Sequence, residues 1–107
     1  MSTEAKIKLI IVDDHAMVRE GVKMYLNFDA GLEVIGEASN GQEALDLLEQ
    51  LSPDVILMDL VMPVLDGIST IAEVKKRYPD VEIIALTSVL EDEKVIGAVQ
   101  AGATGYL

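Results

Sequence analysis

Short runs of β-branched and aliphatic residues alternate along this chain with stretches of helical spacing, and little separates one from the next. Residues 7–12 (IKLIIV), 55–58 (VILM) and 81–86 (VEIIAL) are apolar runs bounded by Asp, Gly or Pro, and 32–38 (LEVIGEA) is a weaker one. Runs this short read as strands buried on both faces, as strands of parallel sheets are. Between them, Val18, Val22, Tyr25 and Leu26 share a helical stripe, as do Ala44, Leu47, Leu48 and Leu51. Ile68, Ile71 and Ala72, then Val95, Ala98, Val99 and Gly102, follow the same spacing. The punctuation agrees: Asn40-Gly41 precedes the second stripe, Ser52-Pro53 follows it, Asp66-Gly67 opens the third and Tyr78-Pro79 closes it.

The predicted order is strand and helix in strict alternation, ending in a short run over 104–107. That alternation specifies an α/β fold with a parallel sheet and right-handed crossovers. A bundle of helix pairs fits poorly, because the apolar runs are too short and too β-branched. With 107 residues there is room for one domain, and no repeat, low-complexity tract or linker divides the chain.

Charge and composition narrow the function. Eight Lys and Arg against nineteen Asp and Glu leave a net charge of −11, which opposes non-specific contact with phosphate backbones or anionic membranes. Without cysteine there is no disulfide and no thiolate metal site. The first apolar stretch carries Lys8 and runs straight into Asp13-Asp14, too short and too acidic for a signal peptide or a membrane span. These features predict a soluble, cytoplasmic domain.

In an open parallel sheet, ligands bind at the carboxyl ends of the strands. The first strand ends in Asp13-Asp14, the third in Asp59, and the fourth in Thr87-Ser88. Capping of the next helix accounts for Asp13 or Asp14 as readily as chemistry does. Thr87 alone reads as a turn residue. Asp59 differs: it follows four apolar residues directly, and no helix begins before about Asp66, which is itself the expected N-cap of the third helix. Three carboxylates converging at neighbouring strand ends repel one another unless a proton or cation joins them. Oxygen donors alone favour a hard ion, and Mg²⁺ suits best because it accepts one or two carboxylates and keeps several waters. Such an ion is a seat for a phosphoryl group, with one carboxylate as nucleophile.

Asp13-Asp14-His15 resembles the acidic pair of bacterial two-component response-regulator receiver domains, and Asp59 within 58–67 (MDLVMPVLDG) resembles their phosphoacceptor loop. Residues 85–88 (ALTS) and 101–107 (AGATGYL) match as well, and the last run together with Asp-Asp-His is similar to regulators of the NarL/FixJ type. The resemblance spans essentially the whole chain. It implies a flavodoxin-like (CheY-like) doubly wound sheet of strand order 2-1-3-4-5. It also implies Asp59 as phosphoacceptor, Asp13, Asp14, Asp59 and the backbone carbonyl of Val61 as Mg²⁺ ligands, Thr87 as switch hydroxyl and Tyr106 as switch aromatic. Pro63 and Gly67 shape the loop and the helix after it. A sensor histidine kinase is the implied donor, and a helix-turn-helix DNA-binding output domain belongs to a longer parent protein, with transcription as the regulated output.

The family's lysine three residues after the switch aromatic, and its fifth helix, lie past Leu107, so the expectation is a receiver domain over 1–107 that is C-terminally incomplete and carries no output domain. Absence of that helix exposes an apolar strip of sheet and invites self-association into a homodimer. Val61 and Val89, each two residues past a site residue, would shield an acyl phosphate from water. His15 stands beside the acidic pair, where a phosphodonor or metal-ligand role is the lesser reading and a first-turn helix residue the better one. Lys75-Lys76-Arg77 suits a helix C-terminus better than nucleic acid, and Glu91-Asp92-Glu93 reads as the acidic first turn of the fourth helix. Two alternatives stand beside the phosphoacceptor switch, which is not itself an enzyme. One is an interaction-type receiver that is never phosphorylated. The other is a Mg²⁺-dependent aspartyl phosphatase, which places Asp-x-Asp after its first strand, whereas here the acids are adjacent. Nucleotide-binding glycine loops are absent.

Overall fold

Every apolar run becomes a strand in the computed structural model, which describes residues 6–60, 66–86, 100–103 and the backbone of 105–106. In chain order the elements are β1 (Ile7–Val12), α1 (Ala16–Leu26), β2 (Leu32–Ala38), α2 (Gly41–Leu48), β3 (Val55–Asp59), α3 (Gly67–Arg77), β4 (Glu82–Leu86) and β5 (Gly105–Tyr106). The strands form one sheet in the order β2-β1-β3-β4-β5, the expected doubly wound order, and every pairing is parallel. No described helix is long and apolar enough to cross a membrane.

Alternation along each strand divides the core between the two sheet faces. Ile10, Val12, Ile56, Met58, Ile83 and Ala85 meet Ala44, Leu45 and Leu48 of α2 and Ile71 and Val74 of α3 on one side. Leu9, Ile11 and Leu57 face the other, where Val22 and Leu26 of α1 pack. Burying an aliphatic side chain of this kind contributes roughly 1.5–3 kcal/mol. The strip expected to be bare is buried at Leu9, Ile11 and Leu57 and half-buried at Ile84 and Leu86. Exposure falls instead on α1, which has no fully buried residue and leaves Met17, Met24 and Tyr25 largely in solvent, and on Phe28 in the turn after it.

Helix boundaries follow local chemistry. Asn40 caps α2 by accepting from the Glu43 N–H at 2.9 Å, while Glu43 reaches back to the Ser39 N–H at 3.1 Å, a reciprocal capping box displaced by one residue. Asp66 caps α3 as expected, accepting from the Ser69 N–H at 2.8 Å. Lys75 closes the other end, donating to the carbonyls of Pro79 and Val81.

Three stripes are centred differently from their sequence spacing. On α1, Tyr25 is exposed because Val22 and Leu26 alone reach the sheet. α2 stops at Leu48, so Leu51 packs from the loop, while Leu45 is buried in its place. On α3, Ala72 is exposed, and the buried face runs through Gly67, Thr70, Ile71 and Val74. Thr70 tolerates burial because its hydroxyl donates to the Asp66 carbonyl at 2.7 Å. Residues 100–101 are helical and end at Gly102, whose φ of 119° lies in the region that favours glycine. Val95, Ala98 and Val99 of the fourth stripe lie outside the described residues, as do Glu91-Asp92-Glu93, Val61, Pro63, Thr87, Ser88, Val89 and the side chain of Tyr106.

Candidate functional site

β1 and β3 place the two main acids side by side. Their ladder runs from Leu9 opposite Val55 to Val12 opposite Met58, and the next residue on each strand is Asp13 and Asp59. Both are buried, at 5% and 7% exposure, although ionised carboxylates lose hydration there. Asp14 lies closer to solvent. One ligand atom from each of Asp13, Asp14, His15 and Asp59 falls within 4.8 Å of the others. The sheet thus brings together the three carboxylates that the sequence singles out, and adds an imidazole to them.

The capping account of Asp13 and Asp14 does not hold. His15 occupies the N-cap of α1 and makes no side-chain cap bond. Asp13 Oδ1 accepts instead from the His15 N–H at 2.7 Å, bending the chain back on itself before the helix starts. His15 is therefore more than a first-turn residue: its Nδ1 stands 3.0 Å from Asp13 Oδ1 and 3.0 Å from Asp14 Oδ1. The hydrogen bond to Asp13, then the charge of Asp14, hold its pKa above the ordinary 6.5.

Arg19 is the residue sequence reasoning missed. Its Nη1 donates to the Asp13 carbonyl at 2.6 Å, and its Nε to Glu37 Oε1 on β2 at 3.1 Å. Lys23 donates to the other Glu37 oxygen at 2.8 Å. These cations keep the Glu37 carboxyl below its usual range, Lys23 by the larger hydrogen bond and Arg19 by the smaller. The one available signal was an arginine one turn into the helix that follows an acid pair, which says nothing about a partner on another strand.

The donor set fits a divalent cation. Three converging carboxylates without sulfur suit a hard ion such as Mg²⁺. Asp13, Asp14 and Asp59 would hold such an ion, whose charge would lower the repulsion any incoming anion meets. Asp59 pairs with Leu86 in the β3–β4 ladder, so Thr87 follows its register partner directly in sequence.

Residues 9–107 match the family described as the response regulator receiver domain. The chain is 48% identical over 101 residues to the transcriptional regulatory protein LiaR of Bacillus subtilis, covering 94% of this chain and 48% of LiaR. It spans about half the length of the curated relatives it matches. The signal receiver domain of the NarL response regulator from Mycobacterium tuberculosis superposes with a TM-score of 0.91 at 35% identity, over 97% of this chain and 84% of that one. The isolated REC domain of RcsB from Salmonella enterica serovar Typhimurium, solved with the phosphomimetic BeF3−, superposes at 0.88 with 28% identity, over 95% of this chain and 76% of that one.

Proposed function

The chain belongs to the family of response regulator receiver domains, phosphoacceptor switches of signal transduction, and on that premise we propose that Asp59 is the residue phosphorylated here. The observation that carries this reading is the burial of Asp59 at the end of β3, among the ligand atoms of Asp13 and Asp14. Residues 1–107 act as one receiver unit. Asp13, Asp14, Asp59 and the carbonyl of Val61 hold Mg²⁺, which when bound offsets the charge of the carboxylates and of the phosphoryl oxygens.

An oxygen of Asp59 attacks the phosphorus of a phosphohistidine on a sensor kinase. The P–N bond breaks, an acyl phosphate forms, and the imidazole leaves with the bonding pair. Thr87 then donates its hydroxyl to the new phosphoryl group, and Tyr106 follows inward, so that a local charge biases a two-state surface. Val61 and Val89 shield the acyl phosphate from water. The output is transcriptional, an inference supported by the name of LiaR. It is exerted through a partner or a longer polypeptide, because a net charge of −11 opposes direct contact of these residues with DNA. The setting is the cytoplasm, where a sensor kinase presents its phosphohistidine. Family membership favours this regulatory role over an aspartyl phosphatase.

Mass spectrometry after treatment with acetyl phosphate and Mg²⁺ tests the assignment. One phosphoryl group is expected on the wild type and none on Asp59→Ala. Equal labelling of both proteins refutes Asp59 as acceptor.

A further inference from the structure

We propose that Arg19 is a positioning residue of the acidic site, holding the backbone of Asp13 so that its carboxylate is set for the metal ion. The proposal rests on the reading of Asp13, Asp14 and Asp59 as the metal-holding carboxylates.

Asp13 is the first residue past the β1–β3 ladder, so the sheet no longer holds it on that side. Its N–H still donates to the Ala38 carbonyl at the end of β2, at 3.0 Å. Its own carbonyl is taken by Arg19 Nη1 at 2.6 Å, a charge-assisted bond. Arg19 is in turn fixed by Glu37, the neighbour of Ala38, and Glu37 is fixed by Lys23. β2 therefore grips residue 13 twice, once through Ala38 and once through Glu37 and Arg19. The guanidinium suits this task because its planar fork serves two acceptors on different elements at once, which a lysine ammonium does less well. Its bonds go to a carbonyl and to Glu37, so it orients Asp13 without occupying the oxygens that would face the ion.

The sign of the effect separates this role from simple charge. A cation beside a metal site weakens metal binding by repulsion, so removing Arg19 as a mere charge strengthens Mg²⁺ binding. Removing a clamp weakens it. Support of a ligand by its outer partners is typically worth about 10–100-fold in metal affinity.

Mg²⁺ is titrated by calorimetry, at one ionic strength, into the wild type, Arg19→Met, Arg19→Lys and Glu37→Gln. Arg19→Met is expected to bind roughly 10-fold more weakly, and Glu37→Gln to weaken binding less. Arg19→Lys keeps the charge, loses the fork and stays weaker than wild type. Amide exchange of the metal-free proteins gives a second readout: the Asp13 N–H exchanges faster in Arg19→Met, while the Ile56 N–H, deep in β3, is unchanged. Binding by Arg19→Met that equals or exceeds the wild type overturns the proposal, as does unchanged exchange at Asp13. If Arg19→Met does not fold, Arg19→Lys decides alone, and wild-type affinity in that variant overturns the proposal. A wild type that binds no Mg²⁺ overturns the metal site itself.

Discussion

Gly67 approaches the carbonyl oxygen of Asp59 so closely that no side chain fits between them. A Cβ placed on Gly67 would overlap that oxygen and stand 2.6 Å from the Leu60 α-carbon. The obstacle is backbone on both counts, so it cannot rotate aside. The first turn of α3 is thereby pressed against the backbone of Asp59 and Leu60, and the Gly67 N–H points to the Leu60 carbonyl.

Gly67→Ala should therefore cost about 1–3 kcal/mol, the usual range for overpacking, despite alanine's better helix propensity. Urea denaturation measures the loss, and acetyl-phosphate labelling of the folded variant should be slowed because Asp59 is displaced. A midpoint equal to the wild type would show that α3 can retreat freely.

Asp66→Ala removes the cap of the same helix. The Ser69 N–H loses its acceptor, and the expected cost is about 1 kcal/mol. Asp66→Asn keeps an oxygen at the cap and should lose only a fraction of that. Equal losses in the two variants would point to the carboxylate charge, not the hydrogen bond, as the source.

His15 is the single histidine of the chain, so its proton NMR titration is read without overlap. It should titrate above 6.5, because Asp13 accepts its hydrogen bond and Asp14 adds charge. Asp13→Ala, which removes both the acceptor and its charge, should bring the midpoint down further than Asp14→Ala does. A raised folded-state pKa stabilises the fold fully below the unfolded value, and that contribution disappears as pH rises through the folded value. A His15 midpoint unmoved by Asp13→Ala would contradict the contact.

Glu37 acts in the opposite sense. Its carboxyl is held below 4.5, first by the Lys23 hydrogen bond and then by Arg19. Its contribution is present above the unfolded pKa and is lost as pH falls through the lower folded value. Glu37→Gln should be less stable than wild type at neutral pH, by on the order of 1 kcal/mol. The two thermal unfolding curves should converge in acid. A gap that persists there would assign the loss to packing.

The strands were legible because burial on both faces leaves a plain apolar run, as in Ile56, Leu57 and Met58. Stripes on helices were less so. Spacing identifies a stripe but not its centre, and Ala72 lost its expected place to Thr70, whose hydroxyl finds the carbonyl of Asp66, the residue that caps its helix. At the site, Asp13, Asp14 and Asp59 announced themselves as acids ending apolar runs. His15 gave only its place beside them, since its part depends on how a ring turns after the strand, and Arg19 gave nothing, since its partner is a glutamate 18 residues away on another element.

The ladder between β1 and β3 carries a further consequence. From Leu9 to Asp13 and from Val55 to Asp59 the chain takes the same number of steps, and the two acids meet only because the counts agree. Pairing counts residues and is indifferent to which apolar side chain fills each position. Exchange of one aliphatic residue for another leaves the acids where they are. One residue inserted into either segment shifts them apart by about 3.3 Å and turns one to the opposite face. Sequence can drift along these two strands, but their length cannot.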